Sequence, residues 1–418
     1  MNLYFLMSAL FVVLAVLVAV DTSLTSLNLI PWFNGLRWVR VHLITLGAMT
    51  EALFGVMPLL TAIRYHRPRP SFRWDIWLSL NAGLLTLLIG IPIVNQALIY
   101  TGGTLIFIAT VLLMLQLRSL RPTETPRLAA LDSQEALDGH PTGRRFYMAG
   151  LSFFLLGIIL GTGLWFGWSE WLFVSVPLEA HIHANNWGLM SLVFAGLIVD
   201  TYPRWAGRPL AWPRSINPIF WLMVFGALGL VLGPWFKSTF FTVPGLIMHQ
   251  IATLWLMLNV IRPLWRDRGA WRQPGIWHVV TAYIWISAPV LIAPLILLGI
   301  QGIPGPTIEA NAPQALVYGW VFQFGFAMLP YFFRRFFLAE PAPRLGGSWI
   351  SLVAANLGGV FLWASIFVEP LSATLHGIAY ALWAVAAVPV AIELWRIAGQ
   401  GLAQLEPAGE RAAEAPTD

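Results

Sequence analysis

Residues 181–201 read HIHANNWGLMSLVFAGLIVDT, and this stretch places the chain in a lipid bilayer. It carries no charged side chain from Ala184 to Val199, and about 20 mostly apolar residues are enough for a helix to cross the hydrocarbon core. The whole chain of 418 residues has the same character, since 58% of it is hydrophobic and 10% is charged. A soluble domain carries roughly 25% charged residues. The sequence therefore excludes a water-soluble enzyme and predicts an all-α integral membrane protein.

Eleven other stretches share this length and apolarity. The sequence thus predicts twelve transmembrane helices, here called spans 1 to 12, at residues 3–20, 39–63, 74–98, 100–117, 146–167, 181–201, 216–234, 239–261, 277–300, 312–333, 347–368 and 371–395. Residues 1–398 are expected to form one twelve-helix membrane domain. Residues 399–418 are expected to be a polar tail, and residues 119–143 a polar loop.

The placement of arginine predicts the orientation of the spans, because loops on the cytoplasmic side of a membrane collect Lys and Arg. Of the 24 basic residues, all but Arg37, Arg40 and Lys237 follow the even-numbered spans. Both termini, the loop and the tail are therefore expected in the cytoplasm, and the protein in the cell (inner) membrane. The bilayer is the expected partner. Nucleic acid is not, because the basic residues are not gathered into one face with aromatic residues between them.

Histidine is the ligand type that the composition leaves for a metal or haem. The chain has no cysteine, which excludes disulfides, iron–sulfur clusters and covalent haem attachment through cysteines. Five of its eight histidines fall in the half of the spans away from the cytoplasm: His42, His181, His183, His249 and His376. Ionisable groups inside a membrane are functional candidates, and imidazole is a common ligand of haem iron and copper. The sequence therefore predicts that these five ligate haem or metal.

The places of individual residues within the spans allow further interpretations. Because residues two apart on a helix project about 200° apart, the rings of His181 and His183 are expected on opposite sides of span 6. That separation opposes a three-histidine copper site formed with His249, which stays open as an alternative. Glu51, mid-span in span 2, is a candidate proton relay. His278, beside a Trp at the start of span 9, is expected at the membrane interface.

A repeated pattern links three of the spans. A polar residue followed five positions later by glycine occurs at His42 and Gly47, at His183 and Gly188, and at Gln314 and Gly319. The copies lie about four spans apart, and self-similarity at a fixed period indicates a structural repeat. The sequence therefore predicts three pseudo-repeated four-helix units.

Twelve spans with cytoplasmic termini, four-helix units and histidines near the outer ends of the repeated helices resemble the haem-copper oxidase subunit I superfamily. Within it, the likeness is to divergent NnrS-like proteins and to short relatives of the C-type oxidase and nitric oxide reductase subunits. It covers most of the chain as architecture, and its residue motifs are confined to spans 2, 6, 8, 10 and 12. The resemblance implies one or two haem b groups and a role in electron transfer, or in nitric oxide or oxygen binding, in respiratory or nitric oxide metabolism. It also implies an electron-transfer partner or other subunits of a respiratory complex.

The resemblance also implies ligands, with departures from the family pattern. His42 corresponds to the low-spin haem ligand of span 2. Span 10, however, has Gln314 where the family has histidine, and span 7, from Asn217 to Gly233, lacks the histidines of the copper site. A normal binuclear centre is therefore not expected, and whether the chain is an enzyme stays open.

Two pairings of the histidines remain open. His42 would pair with His181 or His183, and the other histidine of span 6 with His249; alternatively His42 would pair with His376. The four-helix units of the superfamily enclose three pores, and in the first pairing His376 would face the third, with Gln314 as candidate support. Arg37 and Arg40 would contact the haem propionates. Two rival functions account equally well for twelve spans: a transporter or channel without a cofactor, and a structural subunit of a respiratory complex.

Overall fold

The computed structural model describes residues 2–30, 37–120 and 142–404, and every regular element in these ranges is helical. Eleven of the described helices are long and apolar enough to cross a membrane. The prediction of a multi-pass, all-α membrane protein is confirmed. The location of the termini and the treatment of residues 1–398 as one domain stay predictions. The predicted loop at 119–143 and the tail lie mostly outside the described residues.

The twelve main helices are numbered in chain order. They are α1 (Leu3–Ser26), α2 (Trp38–Arg64), α3 (Trp74–Gly90), α4 (Gln96–Ser119), α5 (Arg144–Phe166), α6 (Pro177–Ala206), α7 (Ile216–Phe236), α8 (Thr239–Leu264), α9 (Pro274–Leu297), α10 (Gly305–Phe337), α11 (Trp349–Phe367) and α12 (Ser372–Ala403). Short helical turns at Trp168–Trp171, Pro213–Ser215, Ala270–Arg272 and Glu369–Leu371 connect some of them.

Helix α3 is the one that differs most from its predicted span. It has 17 residues and ends at Gly90, whereas the apolar run continues to residue 98. A proline has no backbone N–H with which to continue helical hydrogen bonding, and Pro92 follows closely. Val94 then adopts a left-handed conformation, with φ of 52°, and Asn95 caps α4 by accepting a hydrogen bond from the backbone of Leu98 at 3.1 Å. Apolarity alone does not show this turn.

Three helices, α2, α6 and α10, contain a wide turn. Each has a seven-residue π-helical segment, and these lie at Leu43–Met49, Ala184–Met190 and Leu316–Phe322. The same three helices are 89%, 83% and 100% buried over their most apolar 18 residues, against 33–50% for the other eight long helices. π-helical segments occur frequently at functional sites. Here they direct attention to His42 and His183, which immediately precede the first two.

The chain divides into two compact units. Unit one comprises residues 1–55, 271–282 and 317–418, and unit two comprises residues 56–270 and 283–316. In unit one, α1 packs on the wide turn of α2, where the hydroxyl of Ser8 donates to the carbonyl of Ala48 at 2.7 Å. A Cβ on Gly47 would lie 2.6 Å from Phe11, so glycine permits this close contact.

Small residues set the helix packing of unit two. A Cβ on Gly188 would lie 2.4 Å from the Phe153 ring of α5, and one on Gly157 would lie 2.5 Å from Asn185 of α6. Gly226 brings α7 equally close to α8. Membrane helices associate through such small residues because lipid offers no hydrophobic driving force between them. This packing fixes the start of α6, which carries two of the predicted ligands.

Candidate functional site

The first turns of α6 direct two imidazole rings toward different helices. The Nδ1 atom of His181 lies 2.8 Å from the backbone carbonyl of Gly157 in α5. The Nδ1 atom of His183 lies 2.5 Å from the backbone carbonyl of Leu230 in α7. The two rings therefore contact opposite neighbours of α6, as their spacing along the helix requires.

These contacts fix which ring nitrogen carries the proton. A carbonyl oxygen only accepts hydrogen bonds, so Nδ1 must be the donor, and in a neutral ring the lone pair is then on Nε2. His42 has the same arrangement, because its Nδ1 lies 2.8 Å from the carbonyl of Trp38. Metal-ligating histidines typically donate their second N–H to a carbonyl or carboxylate in this way. His42, His181 and His183 are therefore prepared to ligate through Nε2.

A proline provides the acceptor for His183. Within α7, the carbonyl of Leu230 would ordinarily accept a bond from the N–H of residue 234, but Pro234 has no N–H. The imidazole of His183 takes that place. Gly161 of α5 leaves space for His181 in a similar way, since a Cβ on this glycine would lie 2.6 Å from the Cε1 atom of the ring. Both rings thus occupy places that the neighbouring helix leaves open.

The variant Pro234→Ala is expected to weaken the tautomer preference of His183. The new N–H would compete for the Leu230 carbonyl, and a neutral hydrogen bond contributes about 0.5–1.5 kcal/mol. The ¹⁵N chemical shifts of selectively labelled histidine should show a smaller fraction of His183 protonated at Nδ1. Pro244→Ala, in the second turn of α8, is the control. Unchanged His183 shifts in the Pro234 variant would contradict this role of the proline.

His249 of α8 provides a second ring beside α7. It is 1% exposed, and its Nδ1 lies 3.3 Å from the hydroxyl of Thr253. Within the part of the chain that the structure describes, its Nε2 atom makes no hydrogen bond. The indole of Trp187 meets the imidazole edge-on, with ring centroids 5.0 Å apart, and the Trp187 backbone lies nearby. A buried ring nitrogen without a hydrogen bond is the kind of atom that a ligand would satisfy.

The same face of α7 positions both rings. A Cβ on Gly226 would lie 2.7 Å from the backbone nitrogen of His249, and Leu230, one turn further along α7, contacts His183. Trp187, four residues after His183, reaches the His249 ring. We call His183, His249 and Trp187 the α7 histidine site. Its two imidazoles come from α6 and α8, and each of these helices packs against the same turn of α7.

Gly226→Ala is expected to destabilise the protein by about 1–3 kcal/mol, the usual range for overpacking a close contact. The added methyl group would meet backbone atoms of His249, which no rotamer change can move. The midpoint temperature of unfolding in detergent should fall. Gly399→Ala is the matched control, since a Cβ there meets nothing within 4 Å and alanine favours a helix by up to about 1 kcal/mol. Equal midpoints for the two variants would contradict the close contact.

The site opens toward an acidic helix end. A carboxyl oxygen of Glu179 lies 3.9 Å from Nε2 of His183, and the Glu179 side chain is about half exposed. This distance is too long for a direct hydrogen bond. Glu309 is close enough to Glu179 for the two carboxylates to interact electrostatically. The Nε2 side of His183 therefore faces a polar region rather than closed hydrocarbon.

A three-histidine copper site gains no support from this arrangement. Among the described residues, no three His, Asp or Glu side chains are grouped so that they could hold a metal ion. That statement includes the combination of His181, His183 and His249. The physical reason is that His181 contacts α5 whereas His183 contacts α7, so their rings do not converge on one point.

In unit one, Arg40 and His376 meet the same tyrosine. The guanidinium carbon of Arg40 lies 5.5 Å from the ring centroid of Tyr380, and the His376 ring lies 4.9 Å from it. His376 also contacts the hydroxyl of Ser26 at 3.0 Å.

His42, two residues after Arg40, projects to the other side of α2 and stacks on Trp38 with 4.4 Å between ring centroids. The pairing of His42 with His376 stays a prediction.

The remaining predicted site residues are placed as follows. Gln314 is buried and donates to the side chain of Asn311 at 3.2 Å. Glu51 is fully buried in the first turn after the wide turn of α2. The side chain of Arg37 lies outside the described residues. None of these observations tests a haem or proton-relay role.

His278 lies inside the protein. It is fully buried, and its Nε2 lies 3.1 Å from the hydroxyl of Ser351; its predicted position at the depth of the membrane interface stays a prediction. The adjacent Trp277 suggests an interface, but Gly347 leaves room for the ring, since a Cβ there would lie 2.4 Å from it. The glycine pair before span 11 was the sequence signal for this close approach.

Comparison with models of protein families gives no match, and comparison with curated proteins gives none either. The α7 histidine site is therefore interpreted from its own chemistry.

Proposed function

We propose that this chain is a haem-b-binding integral membrane protein related in architecture to the haem-copper oxidase subunit I superfamily. One observation carries the proposal. In the α7 histidine site, the backbone carbonyl of Leu230 fixes the proton of His183 on Nδ1. One turn along α7, Gly226 packs against the backbone of His249, whose buried Nε2 makes no hydrogen bond in the described residues.

The donor set fits haem b. The chain offers neutral imidazoles and no thiolate, which suits non-covalent haem with histidine as the axial ligand. His183 and His249 are the proposed ligands in unit two. His42 in unit one and His181 in unit two, whose Nδ1 atoms also contact carbonyls, are further candidate ligands, each considered within its own unit, and Arg40 in unit one is the candidate for a propionate. Copper is not part of the proposal.

The scaffold supports the superfamily likeness. The three most buried helices, α2, α6 and α10, each contain one seven-residue wide turn, and these turns begin at residues 43, 184 and 316. Recurrence at such spacing is what three four-helix units would produce. The proposal includes twelve crossings with both termini in the cytoplasm. At 1.5 Å per residue, α3 would be about 25 Å long, which is short for a bilayer but tolerable with local thinning.

The number of histidine ligands on the haem iron would decide what the haem does. Haem iron with two histidine ligands suits electron transfer, whereas iron with one histidine and an open position binds nitric oxide or oxygen. In this chain the residues hold the rings in position: Leu230 fixes the His183 tautomer, and Trp187 meets the edge of His249. The acidic region at Glu179 keeps one side of the site polar.

The test is the absorbance spectrum of the protein purified in detergent. Reduced-minus-oxidised and pyridine-haem spectra should show one or two haem b groups per chain, and metal analysis should show matching iron. Added nitric oxide should shift the Soret band if a coordination position is open, and leave it unchanged if two histidines bind. A monodisperse, helical preparation from haem-replete cells that contains no haem would contradict the proposal and favour a transporter or a structural subunit.

A further inference from the structure

Unit one contains a buried polar cluster at the meeting of three helices. The side-chain amide of Gln323 in α10 donates to the hydroxyl of Thr281 in α9 at 2.9 Å. The amide of Asn356 in α11 donates to the carbonyl oxygen of Gln323 at 3.0 Å. Gln323 is fully buried, whereas Thr281 and Asn356 keep some accessible surface. We call these three residues the inner cluster.

A second polar group lies about one helical turn from it. His278 precedes Thr281 by three residues on α9, a rise of about 4.5 Å. Its Nε2 contacts the hydroxyl of Ser351, which lies 3.0 Å from that of Ser348 at the start of α11. The His278 ring is fully buried, and its Nδ1 makes no hydrogen bond in the described residues, although the backbone of Ser348 lies nearby. His278, Ser348 and Ser351 form the outer cluster.

An ion pair stands beside the outer cluster. Arg334 donates to Glu393 at 2.7 Å, and both side chains are partly exposed. The other carboxyl oxygen of Glu393 lies 3.4 Å from the backbone nitrogen of Gly347. Gly347 in turn packs directly against the His278 ring. Polar groups therefore continue from a partly exposed charge pair, through a titratable ring, to a fully buried amide.

We propose that the two clusters line a hydrated inlet, through which water and protons reach the interior of unit one from the end where α9 and α11 begin. The side chains of the inner cluster bond to one another and to backbone carbonyls, whereas Nδ1 of His278 makes no hydrogen bond in the described residues. Buried polar groups in a membrane need partners, and an ordered water at His278 would supply one. Thr281 and Asn356 have accessible surface on which such water can bind. Their surface would otherwise face hydrocarbon, where polar groups are disfavoured. The inlet does not depend on bound haem.

The absence of native cysteine allows a direct test. Thr281→Cys and Asn356→Cys would each be made as the sole cysteine of the chain. Membrane vesicles of defined sidedness that contain each variant would then be treated with a small charged methanethiosulfonate. Only a thiolate reacts, and an apolar environment raises the thiol pKa. Both variants should therefore react roughly tenfold faster than the buried neighbour Ala282→Cys and the lipid-facing Ile284→Cys. The faster reaction is expected with reagent on the arginine-rich side, which is the predicted cytoplasmic side.

Deuterium exchange at the imidazole C2 position provides a test without mutation. In protein purified from haem-depleted cells, where no iron can occupy His249, His278 should exchange several-fold faster than the equally buried His249, because only His278 contacts the inlet. Cysteine rates equal to those of the two control variants in well-folded protein would overturn the proposal, as would His278 exchange no faster than that of His249. Reaction solely from the opposite side would also overturn it. Lack of haem in protein from haem-replete cells, with these tests passed, would leave the inlet intact and contradict the haem proposal alone.

Discussion

His183→Ala and His249→Ala are each expected to remove the haem of unit two, because each would delete one of the two proposed axial imidazoles of the α7 histidine site. If the chain holds one haem, the pyridine-haem content per chain should fall to near zero. If it holds two, the content should fall by about one haem for either variant. The double variant should lose no more than the single ones, since the two rings are expected to act on one iron.

Two control variants at other histidines distinguish loss of a ligand from misfolding of the protein. His66→Ala alters an exposed residue after α2 and should leave the haem content unchanged. His181→Ala alters the ring that faces α5 and should spare the haem of unit two. Full haem content in both His183→Ala and His249→Ala would refute the pairing and direct attention to His42 and His376.

Asp200→Ala is expected to have the largest effect on stability. One carboxyl oxygen of Asp200 accepts a bond from the backbone nitrogen of Gly143 at 2.8 Å. The other accepts a bond from the hydroxyl of Tyr147 at 2.7 Å. All three residues are buried, so alanine would leave two donors without partners. At about 1–3 kcal/mol for each of the two buried unsatisfied groups, the free energy of unfolding should fall by roughly 2–6 kcal/mol.

The measurement is the midpoint of thermal unfolding in detergent, followed by circular dichroism. Tyr147→Phe removes one of the two bonds and should give an intermediate loss. Asp75→Ala is the matched acidic control. It breaks an exposed ion pair with Arg73, and such pairs contribute at most about 1 kcal/mol. A midpoint for Asp200→Ala no lower than that for Asp75→Ala would mean that the contact between α6 and the start of α5 does not stabilise the protein.

The membrane fold follows from local sequence properties, and the sequence therefore predicts it well. Apolar runs long enough to cross a bilayer are visible residue by residue, and eleven of them are long apolar helices in the structure. Span 3 ends early because Pro92 and the left-handed Val94 interrupt a run that remains apolar. Hydropathy measures transfer into lipid and does not register the backbone conformation of single residues.

The candidate site was partly predictable. The positions of His183 and His249 and the opposed rings on α6 follow from spacing along helices. The carbonyl of Leu230, left without a helical donor by Pro234, depends on which helix packs against α6, and a single sequence does not contain that information. The inner cluster of Thr281, Gln323 and Asn356 was missed for the same reason, because these residues share no spacing pattern and meet only in three dimensions.

The wide turns of α2, α6 and α10 have a consequence for how such a protein can evolve. A turn that closes on the fifth residue instead of the fourth contains one residue more than an α-helix needs, and one residue corresponds to about 100° of rotation. The helix before each turn is therefore out of phase with the helix after it. Mutation in the turn can change which neighbours His42 or His183 faces without altering the packing of the half of the helix that follows the turn. Each such helix behaves as two separately adjustable parts, so ligand geometry can diversify while the membrane scaffold stays constant.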